Sequence, residues 1–233
     1  MGKLASTTTK MSAVFVLALT LTACGSEENA KDINDWVIDV SKKEKYAELT
    51  FVNMLDEMAT FYGKTKQMNR DVFDNRQQIN SVSAGEGESH KFKWGAGNQK
   101  KEEIRLGVAD TNTLSYRGFV DIELEDTLEY WTVAWKDNEI IQLSAFKRTP
   151  VVPTTHYNLR FFALKDLSIS VEEGAHRAVT LTKGLTSDTL ALDHCTNTVK
   201  VAGSYIDFCA EAEIGNSYLI IIGQDGQLYV GKE

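Results

Sequence analysis

The chain has 233 residues, with 33 acidic against 25 basic side chains and a net charge of −8 at pH 7. An acidic body repels polyanions within a Debye length of about 8 Å, and no basic patch with interleaved aromatics interrupts it, which excludes nucleic acid as a partner. The length suits one large or two small domains, and no apolar run reaches the ~20 residues that a membrane-spanning helix requires.

The first 23 residues have the three-part order of a secretory signal. Lys3 and Lys10 precede an apolar run from Met11 to Leu21, and no acid occurs before Glu27. Leu21-Thr22-Ala23-Cys24-Gly25 follows. This resembles the bacterial lipobox, in which a cysteine thiolate receives a diacylglycerol group. The expectation is cleavage before Cys24, a lipid on Cys24, and attachment to the membrane through that lipid alone. Gly25 after the cysteine, in place of the retention-associated aspartate, implies sorting to the outer membrane. Without residues 1–23 the chain keeps 23 basic and 33 acidic residues, a net of −10. Residues 24–45 are polar apart from Trp36-Val37-Ile38 and Val40, as expected of a tether.

From Tyr46 onward the pattern has period two. Phe92 and Trp94 alternate with Lys91 and Lys93, Ile122 and Leu124 with Asp121, Glu123 and Glu125, and Ile169 and Val171 with Ser168, Ser170 and Glu172. Such stretches bury one face of an antiparallel sheet. Tyr130–Trp135 and Tyr218–Ile222 are nearly all apolar and predict central strands. Each precedes a turn signal, Asp137-Asn138 or Asp225-Gly226, and then another apolar segment, which predicts two hairpins. Cys195 and Cys209 are the only cysteines beyond Cys24. In an exported chain they predict a disulfide closing a third hairpin around Ala202-Gly203-Ser204.

The hairpins align with each other. Tyr130 and Tyr218, Asp137 and Asp225, and Ile140 and Leu228 are each 88 positions apart, as are Glu123 and Glu211, and Glu125 and Glu213. Gly87, Phe92, Trp94 and Gly97 match Gly174, Val179, Leu181 and Gly184 at 87. Leu49, Phe51 and Asp56 match Leu159, Phe161 and Asp166 at 110. The pattern predicts a tandem duplication. Copy 1 would span 46–148 with an insertion near 57–85, and copy 2 would span 156–233. The linker, 149–155, holds both prolines, Pro150 and Pro153. The fold class is mainly β: two tandem immunoglobulin-like antiparallel β-sandwich domains after a cleaved lipoprotein signal peptide.

The opening strand Asn158-Leu159-Arg160-Phe161-Phe162-Ala163 with Asp166, and the closing Gly215-Asn216-Ser217-Tyr218 with Asp225-Gly226, resemble a family of bacterial extracytoplasmic β-sandwich domains of unknown function. Its members often occur as tandem copies in lipoproteins. The Ser-Pro that usually follows the opening strand is absent here. The resemblance implies a fold and a compartment, and no activity.

Catalytic motifs are sparse. Gly226 to Lys232 carries the glycine and lysine spacing of a phosphate loop, but Glu233 stands where magnesium binding needs Ser or Thr. Asp193, His194, Cys195 and Cys209 could be combined into a metal set only without a CxxC spacing, and Ser204, His194 and Asp193 into a triad only in space. Asp137-Asn138-Glu139 and Asp225-Gly226 lack calcium-loop spacing. Glu123, Glu125, Glu211 and Glu213 fall on every second residue, as on a solvated sheet face. Neither cofactor nor metal is expected, and no enzyme. The expected function is a non-catalytic binding or structural lipoprotein of the cell envelope that recognises a protein or glycan partner. The alternative is an envelope glycan hydrolase using loop carboxylates. Within the insertion, Lys64, Lys66, Arg70, Phe73 and Arg76 form a locally basic stretch with apolar contacts. It reads either as a partner-binding loop or as a short amphipathic helix covering a sheet edge.

Overall fold

The computed structural model describes residues 44–95, 100–111, 117–152, 154–174, 176–223 and 228–233. The signal peptide, Cys24 and most of the tether lie outside these residues, as does the Asp225-Gly226 turn.

Among the described residues, sixteen strands and one 3-10 turn carry the fold. In the first half, β1 (Lys45–Asn53), β4 (Gly87–Trp94), β7 (Glu129–Asp137) and β8 (Ile140–Lys147) form one sheet, ordered β4-β1-β7-β8. Strands β2 (Ala59–Thr65), β3 (Gln78–Val82), β5 (Lys101–Asp110) and β6 (Arg117–Glu125) form the other, ordered β3-β2-β5-β6. In the second half, β9 (Tyr157–Ala163), β12 (Leu190–Leu192), β15 (Ser217–Ile222) and β16 (Leu228–Lys232) give β12-β9-β15-β16. Strands β10 (Leu167–Val171), β11 (Arg177–Leu181), β13 (Val199–Val201) and β14 (Ser204–Tyr205) give β11-β10-β13-β14. Each half is β-sandwich-like, its two sheets closing on one apolar core. Leu49, Phe51, Phe61, Leu106 and Leu124 are fully buried in the first. Leu159, Phe161, Ile220 and Phe208 lie in the second.

The two halves repeat each other strand for strand in chain order. In both, the first strand runs parallel to the seventh, with Leu49 opposite Tyr130 and Leu159 opposite Tyr218. The registers therefore equate Leu49 with Leu159 and Tyr130 with Tyr218. Each tyrosine hydroxyl also accepts a backbone N–H five residues upstream, from Glu125 at 2.9 Å and from Glu213 at 2.7 Å. A strand entered over a corner is thereby pinned in both halves.

Two details differ from the sequence pattern. Gly87, Phe92 and Trp94 belong to β4, which pairs with β1, whereas Val179 and Leu181 belong to β11, which pairs with β10. The counterpart of β4 is β12, so that match reflected shared alternation and not shared position. The extra residues of the first half are also not one block: the β2–β3 connection covers 66–77 against 172–176 for β10–β11, and β5–β6 covers 111–116 against 202–203.

The hairpins form for local reasons. Asn138 and Glu139, at φ 47° and 67°, make a two-residue turn between Asp137 and its partner Ile140, the left-handed geometry that matches strand twist. Ala202 and Gly203 do the same between Val201 and Ser204. Cys195 and Cys209 are joined at the open end of that hairpin, with a Cα–Cα distance of 5.0 Å.

The nearly all-apolar strands have a further cause. Alternate residues of β7 and β15 face their own cores, and the others meet across the junction of the halves. Val52, Met54, Trp131, Val133 and Trp135 pack there against Phe162, Leu164, Leu219 and Ile221. The sheets β4-β1-β7-β8 and β12-β9-β15-β16 are thus inner sheets, covered on both faces at their central strands, and the other two are outer sheets. Polar groups complete the junction. Arg160 meets the Glu233 carboxylate at 2.5 Å, their side chains 9% and 2% exposed. The Trp131 indole N–H donates to the same oxygen at 3.2 Å, and the Arg148 guanidinium lies 4.2 Å above the Trp131 ring.

Candidate functional site

With the central strands of the inner sheets covered, the surfaces open for recognition among the described residues include the outer sheets and the mouth of the junction. The outer sheet of the first half is the more structured. Period-two alternation turns Val120, Ile122 and Leu124 of β6 inward to the core and Arg117, Phe119, Asp121 and Glu123 outward. The register then sets opposite neighbours on β5: Glu123 faces Glu103, Asp121 faces Arg105, and Phe119 faces Gly107.

The basic stretch of the sequence lies on this face, but little of its charge is spare. Lys64 is in β2, 9% exposed, and its ammonium donates to the Met68 carbonyl at 2.6 Å. Lys66 lies 3.2 Å from Glu103 and 3.8 Å from Asp121. Arg76 forks onto Asp74, with Nη2 at 2.7 Å, and this hydrogen bond together with the Arg76 backbone N–H holds the Asp74 carboxyl well below the usual carboxylate range. Arg70 is exposed. Phe73 packs edge-on to Tyr62, with ring centroids 5.5 Å apart, and joins Val72 and Ala109 in a small cluster on the outer face. Residues 66–77 thus form a loop with a single 3-10 turn (Asn75–Gln77), laid across β2 and β5; they do not form a longer amphipathic helix.

The sequence reading missed Phe119, Arg105 and Arg117. Phe119 is 59% exposed. The Arg105 guanidinium lies 4.8 Å from its centroid and forks onto Asp121 at 2.7 and 2.8 Å. That fork lowers the Asp121 carboxyl and raises Arg105. Arg117 lies 4.7 Å over Phe73. Lys101 bonds Glu123 at 2.6 Å, and the hydrogen bond raises the lysine. The available signal was a phenylalanine on the polar phase of an alternating strand.

At the junction mouth is a cleft of about 680 Å³ over Met54 and Leu164. Four of its charges are mutually engaged: Lys136 with Asp56 at 3.0 Å, and Lys183 with both oxygens of Asp137 at 2.9 Å. Asp166 accepts the Lys183 backbone N–H at 2.8 Å. Asp56, Asp137 and Asp166 are therefore each held as an acceptor by a neighbouring ammonium or backbone N–H. Glu123 and Glu125 lie on β6, while Glu211 and Glu213 lie in the irregular segment after the disulfide, not on a sheet face.

The other sequence-level constellations do not assemble. Asp193 meets His156 at 2.5 Å, not His194, whose carbonyl instead accepts the Thr198 hydroxyl. Both candidate metal cysteines are in the disulfide. Among the described residues no cluster of three or more His, Cys, Asp and Glu side chains could hold a metal, and no helix is long and apolar enough to cross a membrane. The exposed Ser170 hydroxyl lies 3.5 and 3.3 Å from the two ring nitrogens of His176.

Compared with protein-family models and with curated proteins, the sequence matches none.

Proposed function

We propose that the protein is a lipid-anchored lipoprotein of the cell envelope, sorted to the outer membrane, that acts as a non-catalytic binding or structural module. Its two halves are immunoglobulin-like domains of the extracytoplasmic family that the opening and closing strands resemble. Cys24 within the lipobox-like segment supplies the anchor, residues 25–45 the tether, and the Cys195–Cys209 disulfide accords with an oxidising compartment.

One observation carries the reading. The junction covers the central strands of the inner sheets in both halves, and an outer sheet remains as an ordered surface with a loop laid over it. A rigid scaffold that presents a loop-decorated face is the usual architecture of recognition. The partner is a protein or a glycan of the envelope. Crosslinking in intact cells followed by mass spectrometry tests this. A dominant envelope partner, lost when residues 66–76 are replaced by a short linker, is the expected result. An unchanged partner profile after that replacement refutes the loop as the contact.

A further inference from the structure

The two halves close one side of their sandwiches differently. In the first, β6 lies against β8, and a Cβ on Gly118 would stand 2.7 Å from the Ile141 carbonyl oxygen. Glycine there lets one backbone touch the other. The second half has Ile206 in the same place. Gly118 and Ile206 each stand seven residues before the residue whose N–H the corner tyrosine accepts, Glu125 or Glu213. Each also lies beside a fully buried valine, Val108 or Val199. The Ile206 side chain enters the core and keeps the backbones apart. Beyond Tyr205 the chain leaves the sheet, so β14 has two residues where β6 has nine.

The seam between β14 and β16 is therefore open. It holds a cavity of about 770 Å³ with an apolar wall of Leu167, Val201, Ile206, Ile222 and Leu228, and the exposed Ser168, Ser204 and Tyr205 stand at its mouth. One side of the opening is a strand edge. β16 is the last strand of its sheet, and among the described residues no backbone hydrogen bond reaches its outer edge. Edge strands are commonly guarded by charge. The edge strand β4 carries Lys91 and Lys93, whereas Leu228-Tyr229-Val230-Gly231 of β16 carries none.

These features decide the occupant. Unpaired N–H and C=O groups call for a ladder partner, and the cavity beside them calls for apolar side chains. A small apolar molecule would fill the cavity and leave the edge bare. An extended chain serves both, because successive side chains of a strand leave on opposite faces. The first half supplies the precedent within the same molecule, since there the seam is occupied by a strand.

We propose that the seam between β14 and β16 takes an extended segment of a partner protein as an added strand, its backbone paired with the outer edge of β16 and its apolar residues, at alternate positions, seated in the cavity. The five residues of β16 offer ~17 Å of edge for this pairing. The seam is separate from the first half's outer sheet and its loop, so the two surfaces stand or fall independently.

Selection of a displayed library of random nonapeptides on the full chain tests the assignment. The expected result is enrichment of sequences apolar at every second position. Synthetic copies of these should slow amide hydrogen exchange across Leu228–Lys232. Ser204→Trp, which puts an indole in the mouth, should weaken their binding about tenfold or more, and so should Ser168→Trp on β10. Both serines are exposed, so melting temperature should stay unchanged and separate a blocked mouth from a lost fold. Peptides that bind both variants as tightly as the unsubstituted chain overturn the seam as the site. Binding without protection of β16 overturns strand addition. Failure to enrich alternating sequences overturns the proposal outright, and leaves the loop-bearing face of the first half untouched as a binding surface.

Discussion

Gly231→Ala tests whether the halves are fixed to each other by close packing. A Cβ at this position would stand 2.3 Å from Trp131 Cη2 and 2.9 Å from Tyr229 Cε1. The tryptophan has little freedom to withdraw. It is 1% exposed, its indole N–H is bonded to Glu233, and Arg148 lies over its ring. One added methyl must therefore push the inner sheets apart or force Trp131 off its rotamer, a change that costs about 1–3 kcal/mol in a packed interior. For a folded body of this size that is a fall in melting temperature of ~2–4 °C per kcal/mol. Gly95→Ala is the control, since nothing lies within 4 Å of a Cβ there. Urea titrations followed by tryptophan fluorescence and by far-ultraviolet circular dichroism should give one shared transition, lowered in Gly231→Ala and unmoved in Gly95→Ala. Equal midpoints for the two variants would refute a tightly packed junction. Two separate transitions in the unsubstituted chain would refute cooperative coupling of the halves.

Glu233→Ala should destabilise by about 3–5 kcal/mol, because it strands the buried Arg160 guanidinium, and denaturant unfolding measures it. Opening the Cys195–Cys209 loop, with a sequence separation of 14, should cost about 3 kcal/mol in the chain-entropy model; melts of Cys195→Ser with Cys209→Ser, against the oxidised chain, read this directly. His90 is half-buried on β4, and burial lowers its pKa from the ordinary 6.5. The unfolded chain therefore binds more protons than the folded one as pH falls through and below 6.5, and stability declines there. His90→Gln should flatten that part of the stability–pH curve, and an unchanged slope would count against the assignment.

Much of the β architecture was legible because its signals are local. The alternation at Phe92, Ile122 and Ile169 needs only a half-buried sheet, the Asp137-Asn138 turn only left-handed backbone, and the Cys195–Cys209 pair only a hairpin between the cysteines. What escaped was set by tertiary contact. The apolar run Tyr130–Trp135 looked like a strand inside one domain, and nothing in its residues says that Trp131, Val133 and Trp135 face another half. Nor could the sequence reveal that Lys64, reading as a solvent-exposed contact, would fold under the Met68 carbonyl. Phe119 shows in the sequence only as an exception to alternation. Asn53 was equally unforeseen. It is fully buried, with its amide donating to the carbonyls of Glu57 and Val82 and its oxygen accepting from the Leu55 N–H. One satisfied side chain there ties the β1–β2 and β3–β4 connections together.

The register of the two inner sheets shows how a duplicated chain comes to pair with itself in one way. Val52 lies opposite Val133 on neighbouring strands, and Phe162 opposite Ile221, so these four residues occupy two equivalent positions, and all four meet in the junction. The halves therefore join through the same face, as identical subunits do about a two-fold axis. Their sequences have diverged in a complementary sense. Trp131 pairs with Phe146 on β8, and the equivalent pair in the second half is Leu219 with Gly231. The bulky pair on one side meets the small pair on the other, with Trp131 seated on Gly231. The polar positions diverge likewise: Arg148 and Glu233, each the residue after a lysine paired with the corner tyrosine, carry opposite charges. Two copies of the first half would oppose Trp131 to Phe146 where Trp131 now meets Gly231. Two copies of the second would oppose glycine to leucine and leave a void. Only the unlike pair fills the junction, so the sequence differences between the copies fix one half against the other and leave the outer sheet carrying Phe119 facing solvent.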